Sequence, residues 1–321
     1  MKNGIAFAGS IIHDRIFTIN SYPEIGTLTR INDITNAVGG LVPNDSIDLK
    51  KLDTGVPVYA LGRIGDDDSG RLCINTMQSA GVDTSLVKIM EGSVTGFTDV
   101  MSIEGGQRTF FTHSGANDEF CYDDIPWDSL NVDMLHLGYF LLLKRIDEGD
   151  GIRILMEAKK RGIKTSIDFV SERKEKYPPL TPCLEFVDNL IINEHEAGAL
   201  LGINADESNL VDLAERLIGF GVGERVIIHS PTLSVSVTSG GEVTTLGSLK
   251  LPDGFIKGTA GAGDAFCSGA LLGIYHGKDE REILRFATLS AAQSLRSPDA
   301  TGAMDSLEKI ASSFSSFEFR S

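Results

Sequence analysis

Short apolar runs alternate with stretches of helical periodicity along most of this chain, and a glycine closes several of the helical stretches. Ile5–Gly9, Pro57–Leu61, Met134–Gly138, Lys164–Asp168, Asn189–Ile192 and Arg225–His229 have the composition of strands. Ile5–Gly9 is a continuous apolar run ending in glycine, as in a strand buried on both faces of a sheet. Helical patterns over Asp68–Ala80, Glu148–Arg161, Glu194–Leu201 and Leu210–Ile218 separate the strand-like runs, with stop signals at Gly81, Gly162 and Gly202. A hairpin over Leu233–Thr238 and Val243–Leu249 turns at Gly240-Gly241. Three helices follow at about Gly263–Tyr275, Glu280–Leu295 and Asp305–Ser313. Such alternation predicts an α/β fold with a mostly parallel sheet between helix layers.

Two segments break this rhythm. Ile11–Ile19 and Leu28–Ile34 are β-prone and partly polar, and so are Val94–Ser102 and Arg108–His113 around Gly105-Gly106. They predict antiparallel excursions that join as a small lid sheet of about four strands, inserted at about 11–36 and 94–113. No repeat, low-complexity tract or linker interrupts the chain, so residues 1–321 read as a single domain.

Composition excludes several functions. Lys and Arg total 29 against 45 Asp and Glu, a net charge of −16. That balance, with no basic cluster, argues against nucleic acid and against an anionic membrane surface. Apolar stretches such as Leu137–Leu143 are far shorter than the roughly 20 residues that span a bilayer. The N-terminus lacks a signal-peptide pattern. Cys73, Cys121, Cys183 and Cys267 are scattered without a CxxC pair, as in a cytoplasmic protein with reduced thiols. There is no HExxH, and no His/Cys spacing marks a tightly held metal, so the histidines read as structural.

Three segments carry chemistry. In Gly258-Thr-Ala260-Gly261-Ala262-Gly263-Asp264, glycines allow a tight turn that gathers N–H groups at the start of an apolar helix. The helix dipole there favours an anion, and Asp264 lies beside it. Taken alone, Asp264 is equally a helix cap. Gly39-Gly40 permits close backbone approach to a ligand, and Asn44 offers a donor and an acceptor for a hydroxyl-rich molecule. The bland alternative is a loop with Asn44 near a helix start. Asn193-Glu-His-Glu196 follows a strand, and Glu196 is either a functional group or a charge on a helix face. The Walker pattern and the Rossmann fingerprint are both missing.

In this order the segments resemble those of the ribokinase-like (PfkB-type) carbohydrate kinases. Gly9-Ser-Ile-Ile-His-Asp14 resembles the first strand with its sugar-binding Asp. Gly39-Gly40 with Asn44 resembles the N-terminal signature, and Gly261-Ala262-Gly263-Asp264 resembles the C-terminal one. Gly62–Gly70, Ser114-Gly-Ala-Asn117, Asn193-x-x-Glu196 and Thr301-Gly302-Ala303 match further elements. The resemblance implies a three-layer α/β/α sandwich with a β-sheet lid, transferring the γ-phosphoryl group of ATP to a hydroxyl of a small sugar or related polyol. It makes Asp264 the catalytic base and the N–H groups of Gly261, Ala262 and Gly263 the anion hole. Asp14, Gly39, Gly40 and Asn44 would hold the substrate. Ala260 and Gly302 would sit with the nucleotide, and Asn193 and Glu196 would reach Mg2+ through water. The family's Asp and one Thr in the C-terminal signature are Gly258 and Ala260 here, which leaves a monovalent cation open. His229–Ser234 departs from the usual nucleotide loop. The same scaffold also serves nucleoside kinases, with Phe97, Phe110 and Phe111 as a wall for a base, and could serve a non-catalytic sugar sensor. Arg15, Arg30 and Arg108 leave phosphorylated sugars open, and an exposed lid suits a homodimer.

Overall fold

A computed structural model describes residues 2–103, 108–170 and 181–320. Its N-terminal third runs β1 (Ile5–Ala8), β2 (Ile12–Ile19), β3 (Ile31–Gly39), α1 (Leu41–Leu52), β4 (Val58–Gly65), α2 (Asp68–Ser79), β5 (Val87–Met90), β6 (Gly96–Ile103) and β7 (Arg108–His113). Then come β8 (Met134–Phe140), α3 (Gly151–Lys160), β9 (Lys164–Phe169), α4 (Thr181–Leu184), β10 (Asn189–Asn193), α5 (Glu194–Leu201) and α6 (Leu210–Gly219). The chain closes with β11 (Arg225–His229), β12 (Leu233–Thr238), β13 (Val243–Gly247), α7 (Ala262–Tyr275), α8 (Glu280–Ser294) and α9 (Leu307–Ser313).

Nine strands pair in the order β13-β12-β11-β10-β9-β8-β1-β4-β5. Pairing is parallel from β11 to β5, and β12 and β13 add an antiparallel hairpin at one edge. The pleat of β1 shows both layers. Ile5 and Phe7 face a core shared with α1, α2, α7, α8 and α9, while Ala6 and Ala8 face one shared with α3, α4, α5 and α6. This is the expected three-layer sandwich.

The lid is a separate sheet in the order β3-β2-β6-β7. Each excursion is an antiparallel pair, as expected, but β2 and β6 join them in parallel. The proposed turn at Gly105-Gly106 lies outside the described residues. Asn117 ties the lid to the main sheet. Its Oδ1 accepts from Ile11 N–H at 2.9 Å, and its Nδ2 donates to Ile11 O at 3.0 Å and Ser114 O at 2.9 Å. Gly96 makes the room: a Cβ there would stand 2.3 Å from Asn117 Nδ2. The edge strands β3 and β7 are largely exposed, including Ile34, Phe110 and Phe111.

Two elements have no counterpart in the sequence reading, and one helix boundary differs. Residues 41–52 form α1, although Pro43-Asn44-Asp45-Ser46 has the look of a turn. Pro43 occupies the helix's first turn, where its missing N–H breaks no helical bond. Packing then buries residues 44–46 and Asp48 despite their polarity. The edge strand β5 is too short and too exposed to announce itself. The boundary lies before α3: Gly149 has φ +128°, so the regular helix starts at Gly151 rather than Glu148.

Replacing Asn117 strands the N–H and C=O of the fully buried Ile11. We expect Asn117→Ala to cost about 2–4 kcal/mol in urea unfolding. A loss below about 1 kcal/mol would show that the tie is not what anchors the lid.

Candidate functional site

The parallel strands deliver Gly9-Ser10, Gly138, Asp168, Asn193 and His229 to the sheet's carboxyl ends, where open α/β sheets bind ligands. Two buried helices start there. α1 begins after Gly40, with φ +82°; a Cβ on Gly40 would meet Ser10 O at 2.7 Å. α7 begins after Gly261, with φ +73°, and a Cβ there would come within 2.7 Å of the Ala300 backbone. The loops 258–263 and 297–302 therefore pack backbone to backbone, as Gly258 does against Pro298. Lys51 Nζ donates to Thr301 O at 2.8 Å, which fastens α1 to the same loops.

Between the helix starts lie Asn44 and Asp264, 6% and 8% exposed. Asn44 Nδ2 donates to Asp264 Oδ2 at 2.7 Å. Asn44 Oδ1 is buried and has no hydrogen-bond partner. Gly263 faces open space, since a Cβ there would touch nothing within 4 Å. The Ala262 N–H makes a long 3.3 Å bond to Thr259 O. The turn thus offers N–H groups and a carboxylate at one helix end.

Asp14 reaches the same region from the lid. Its carboxylate occupies the space a Gly39 side chain would need: a Cβ on Gly39 would stand 2.2 Å from Asp14 Oδ2. Burial pushes the Asp14 carboxyl up to about 6, while the Thr98 hydroxyl pulls it the other way. Strand register sorts the lid's faces. Asp14, Thr98 and Thr112 are opposite one another, as are Val100 and Phe110, and all share one face. His13, Phe97 and His113 share the other, where Phe97 stacks on His113. Only Phe110 of the three phenylalanines considered for a nucleoside wall is therefore on Asp14's face. Arg15 lies on the far face too, held by Asp99 at 2.5 and 2.9 Å.

On the other side of Gly263 is a cavity of about 730 Å³. Leu249, Leu251, Ile256, Phe266, Ala292 and Leu295 give it apolar walls, and Asn193, Thr259, Thr288 and Arg320 add polar groups. A pocket of this size and lining suits a flat heteroaromatic group with an anionic tail toward α7. His229-Ser-Pro-Thr-Leu-Ser234 lines it throughout. The His229 ring packs against Phe266 with centroids 4.4 Å apart and planes tilted by 31°, and burial lowers its pKa to about 4, so it is neutral near pH 7. Ala260 and Gly302 are exposed and lie outside the lining. Gly302 N–H instead donates to Asp299 Oδ1 at 2.7 Å. Asn193 and Glu196 form a reciprocal cap on α5: Glu196 N–H donates to Asn193 Oδ1, and Asn193 N–H to Glu196 Oε2, both at 2.9 Å.

A family model for pfkB family carbohydrate kinases matches residues 3–307. The chain belongs to the pfkB family of carbohydrate kinases. It is 25% identical over 309 residues to a ribokinase of Arabidopsis thaliana, covering 95% of this chain and 79% of that one. It is 27% identical over 289 residues to an ATP-dependent ribose-1-phosphate kinase of Halopiger xanaduensis, covering 89% of each. The solved structure of Arabidopsis thaliana ribokinase complexed with ribose and ATP matches with a TM-score of 0.82 at 22% identity, over 97% of this chain and 98% of that one. That likeness concerns the fold.

Some groups at this site have no motif to announce them. His229 is not among them, since it opens the His229–Ser234 stretch that stands at the nucleotide loop in the sequence. Arg320 and Phe266 become lining only through packing. Asp45, Asp48, His136, Asp168 and Cys267 also gather under the site, all buried. Burial drives the carboxyls of Asp45 and Asp48 well upward, and the nearby Asp264 adds to it.

The two signature glycines should respond differently. Gly261→Ala must hold a side chain at positive φ against the Ala300 backbone, and we expect a loss of about 2 kcal/mol or more in thermal unfolding. Gly263→Ala should leave stability within about 0.5 kcal/mol or raise it, because the added methyl meets open space on a helix. Equal destabilisation by the two would contradict this placement.

Proposed function

We propose that this pfkB family member transfers the γ-phosphoryl group of ATP to a hydroxyl of a small sugar or related polyol. The observation that carries the reading is the buried, unpartnered Asn44 Oδ1, fixed beside Asp264 where α7 begins. It is an acceptor waiting for a hydroxyl donor, next to a carboxylate that can take the proton.

In this reading ATP occupies the cavity beside Phe266, its phosphates toward the start of α7. N–H groups of Gly261, Ala262 and Gly263 receive the charge on the transferring phosphoryl, and Ala262 gives up its long bond to Thr259. Asp264 accepts the proton of the attacking hydroxyl. An ordinary carboxylate suffices because the loose transition state needs positioning more than a strong base. Asp14 and Asn44 hold the other hydroxyls, and Gly39 and Gly40 let the backbone come close. Asn193 and Glu196 offer only hard oxygen atoms, already engaged in the α5 cap, which fits outer contacts to the waters of Mg2+. Bound Mg2+ would neutralise charge on the phosphate oxygens.

Asp14, Thr98 and Thr112 put polar groups on the lid face that also carries Phe110, while Phe97 and Phe111 lie on the other face, which supports a hydroxyl-rich substrate over a nucleoside. The pairing of Arg15 with Asp99 on the far face removes one of the three arginines that could hold the phosphate of a phosphorylated sugar. The exposed lid strands support a homodimer through the lid, and a solution mass of one chain would remove that part of the reading.

Two measurements test the mechanism. Asp264→Asn should keep the melting temperature and lower kcat by about 100-fold or more with any accepted sugar; near-normal turnover would sink the assigned base. Asp14 is the stronger acceptor for a substrate hydroxyl when ionised, so kcat/KM for the sugar should fall as pH drops below about 6. Asp14→Asn should have a lower kcat/KM that no longer shows this acid limb. An unchanged limb in the variant would assign it to another group.

A further inference from the structure

We propose that Asp45, His136, Asp168 and Cys267 form a buried site for one divalent cation of the zinc type, separate from any ion that accompanies ATP. The four residues come from four elements: α1, β8, β9 and α7. Each offers one donor atom, and the four atoms lie within 4.8 Å of one another. His136 Nε2 stands 3.5 Å from Asp45 Oδ2, 3.8 Å from Asp168 Oδ2 and 3.7 Å from Cys267 Sγ. Zinc bonds of about 2.0–2.3 Å in a tetrahedron require ligand atoms about 3.3–3.8 Å apart, so these three separations are tetrahedral edges.

A second observation points to a missing ligand. Asp45 is 0% exposed, and its Oδ2 makes no hydrogen bond, although His136 Nε2 is 3.5 Å away. A carboxylate oxygen this deep without a partner is costly, and a cation would satisfy it. The surroundings are those of a metal site. The other imidazole nitrogen, Nδ1, is 2.9 Å from Ser166 Oγ, which fixes the ring with Nε2 toward the cluster. Ser268 Oγ shares its proton between the Asp45 backbone carbonyl at 3.1 Å and Asp45 Oδ1 at 3.2 Å, which helps to orient that carboxylate.

The donor set selects the ion. A thiolate and an imidazole with two carboxylate oxygens suit Zn2+ and its analogues, whereas Mg2+ and Ca2+ take oxygen ligands alone. Binding would displace the thiol proton of Cys267, which burial otherwise holds on the sulfur. Asp45 follows Asn44 in sequence, and Cys267 lies one helical turn after Asp264. The ion would therefore pin the two helices that carry the Asn44–Asp264 pair, acting through position rather than on the phosphoryl group.

The test uses untagged full-length protein, stripped of metal and then titrated with Zn2+ and Co2+. About one equivalent should bind per chain. The Co2+ form should show the intense visible bands of a tetrahedral ion and a thiolate-to-cobalt charge-transfer band. Zn2+ should raise the melting temperature of the wild type and not that of Cys267→Ala. Cys267→Ser and His136→Gln should lose the charge-transfer band or the bound ion, while Asn193→Ala should keep both. Wild-type protein that binds no Zn2+ at micromolar free ion, or that binds Co2+ without the thiolate band, overturns the site. The wild-type measurements decide this even if the His136 variant does not fold.

Discussion

Two helix starts meet at the carboxyl end of the sheet, and the hydrogen bond from Asn44 to Asp264 joins them across 220 residues of sequence. The geometry of the site follows from that meeting. Each helix is preceded by a glycine at positive φ, which aims the backbone into the contact, and each is buried by the core on one face of the sheet. Ser268 Oγ donates to the Asp45 backbone carbonyl at 3.1 Å, and Lys51 holds Thr301, so the same helices also fasten the neighbouring loop. A shift of either helix would move the acceptor on Asn44, the carboxylate on Asp264 and the N–H groups of the turn together.

An acidic protein must supply positive potential locally if it is to hold a polyanion. Here the start of α7 and Arg320 face the cavity, while the nearby carboxyls are managed by burial rather than by salt bridges. Asp14, Asp45 and Asp48 are all shifted toward the protonated form, desolvation being the leading cause in each case. Asp67, at the start of α2, goes the other way. Its burial is outweighed by hydrogen bonds from Thr95 and Gly70, which make it an anchor between α2 and the lid rather than a ligand for substrate.

Much of this was legible before any contact was known. The first strand is an apolar run ending in glycine, short β-prone runs then alternate with helical patterns, and the lid hairpins are β-prone segments set among turn residues. The glycine signatures were legible because a positive φ or a close backbone approach leaves glycine little competition. The extent of α1 is not legible because its first turn contains Pro43 and its polar residues are buried, and a local pattern cannot say that burial will override propensity. The aromatic wall failed for a different reason. Phe97, Phe110 and Phe111 are close in sequence, but the pleat and the β6–β7 register send them to opposite faces.

The sequence by itself determined the alternating α/β layout, the lid insertions and the three segments from which the site is built, because these rest on backbone preference and the period of apolar residues. Only the tertiary structure decided which polar groups share a cavity. Asp45, His136, Asp168 and Cys267 are spread over 223 positions, with no spacing that marks a metal, and meet because parallel strands all end on one side of the sheet. The unpartnered oxygen on Asn44 and the lining role of Arg320 have the same origin. They are properties of space enclosed between distant segments, and no local stretch of chain encodes them.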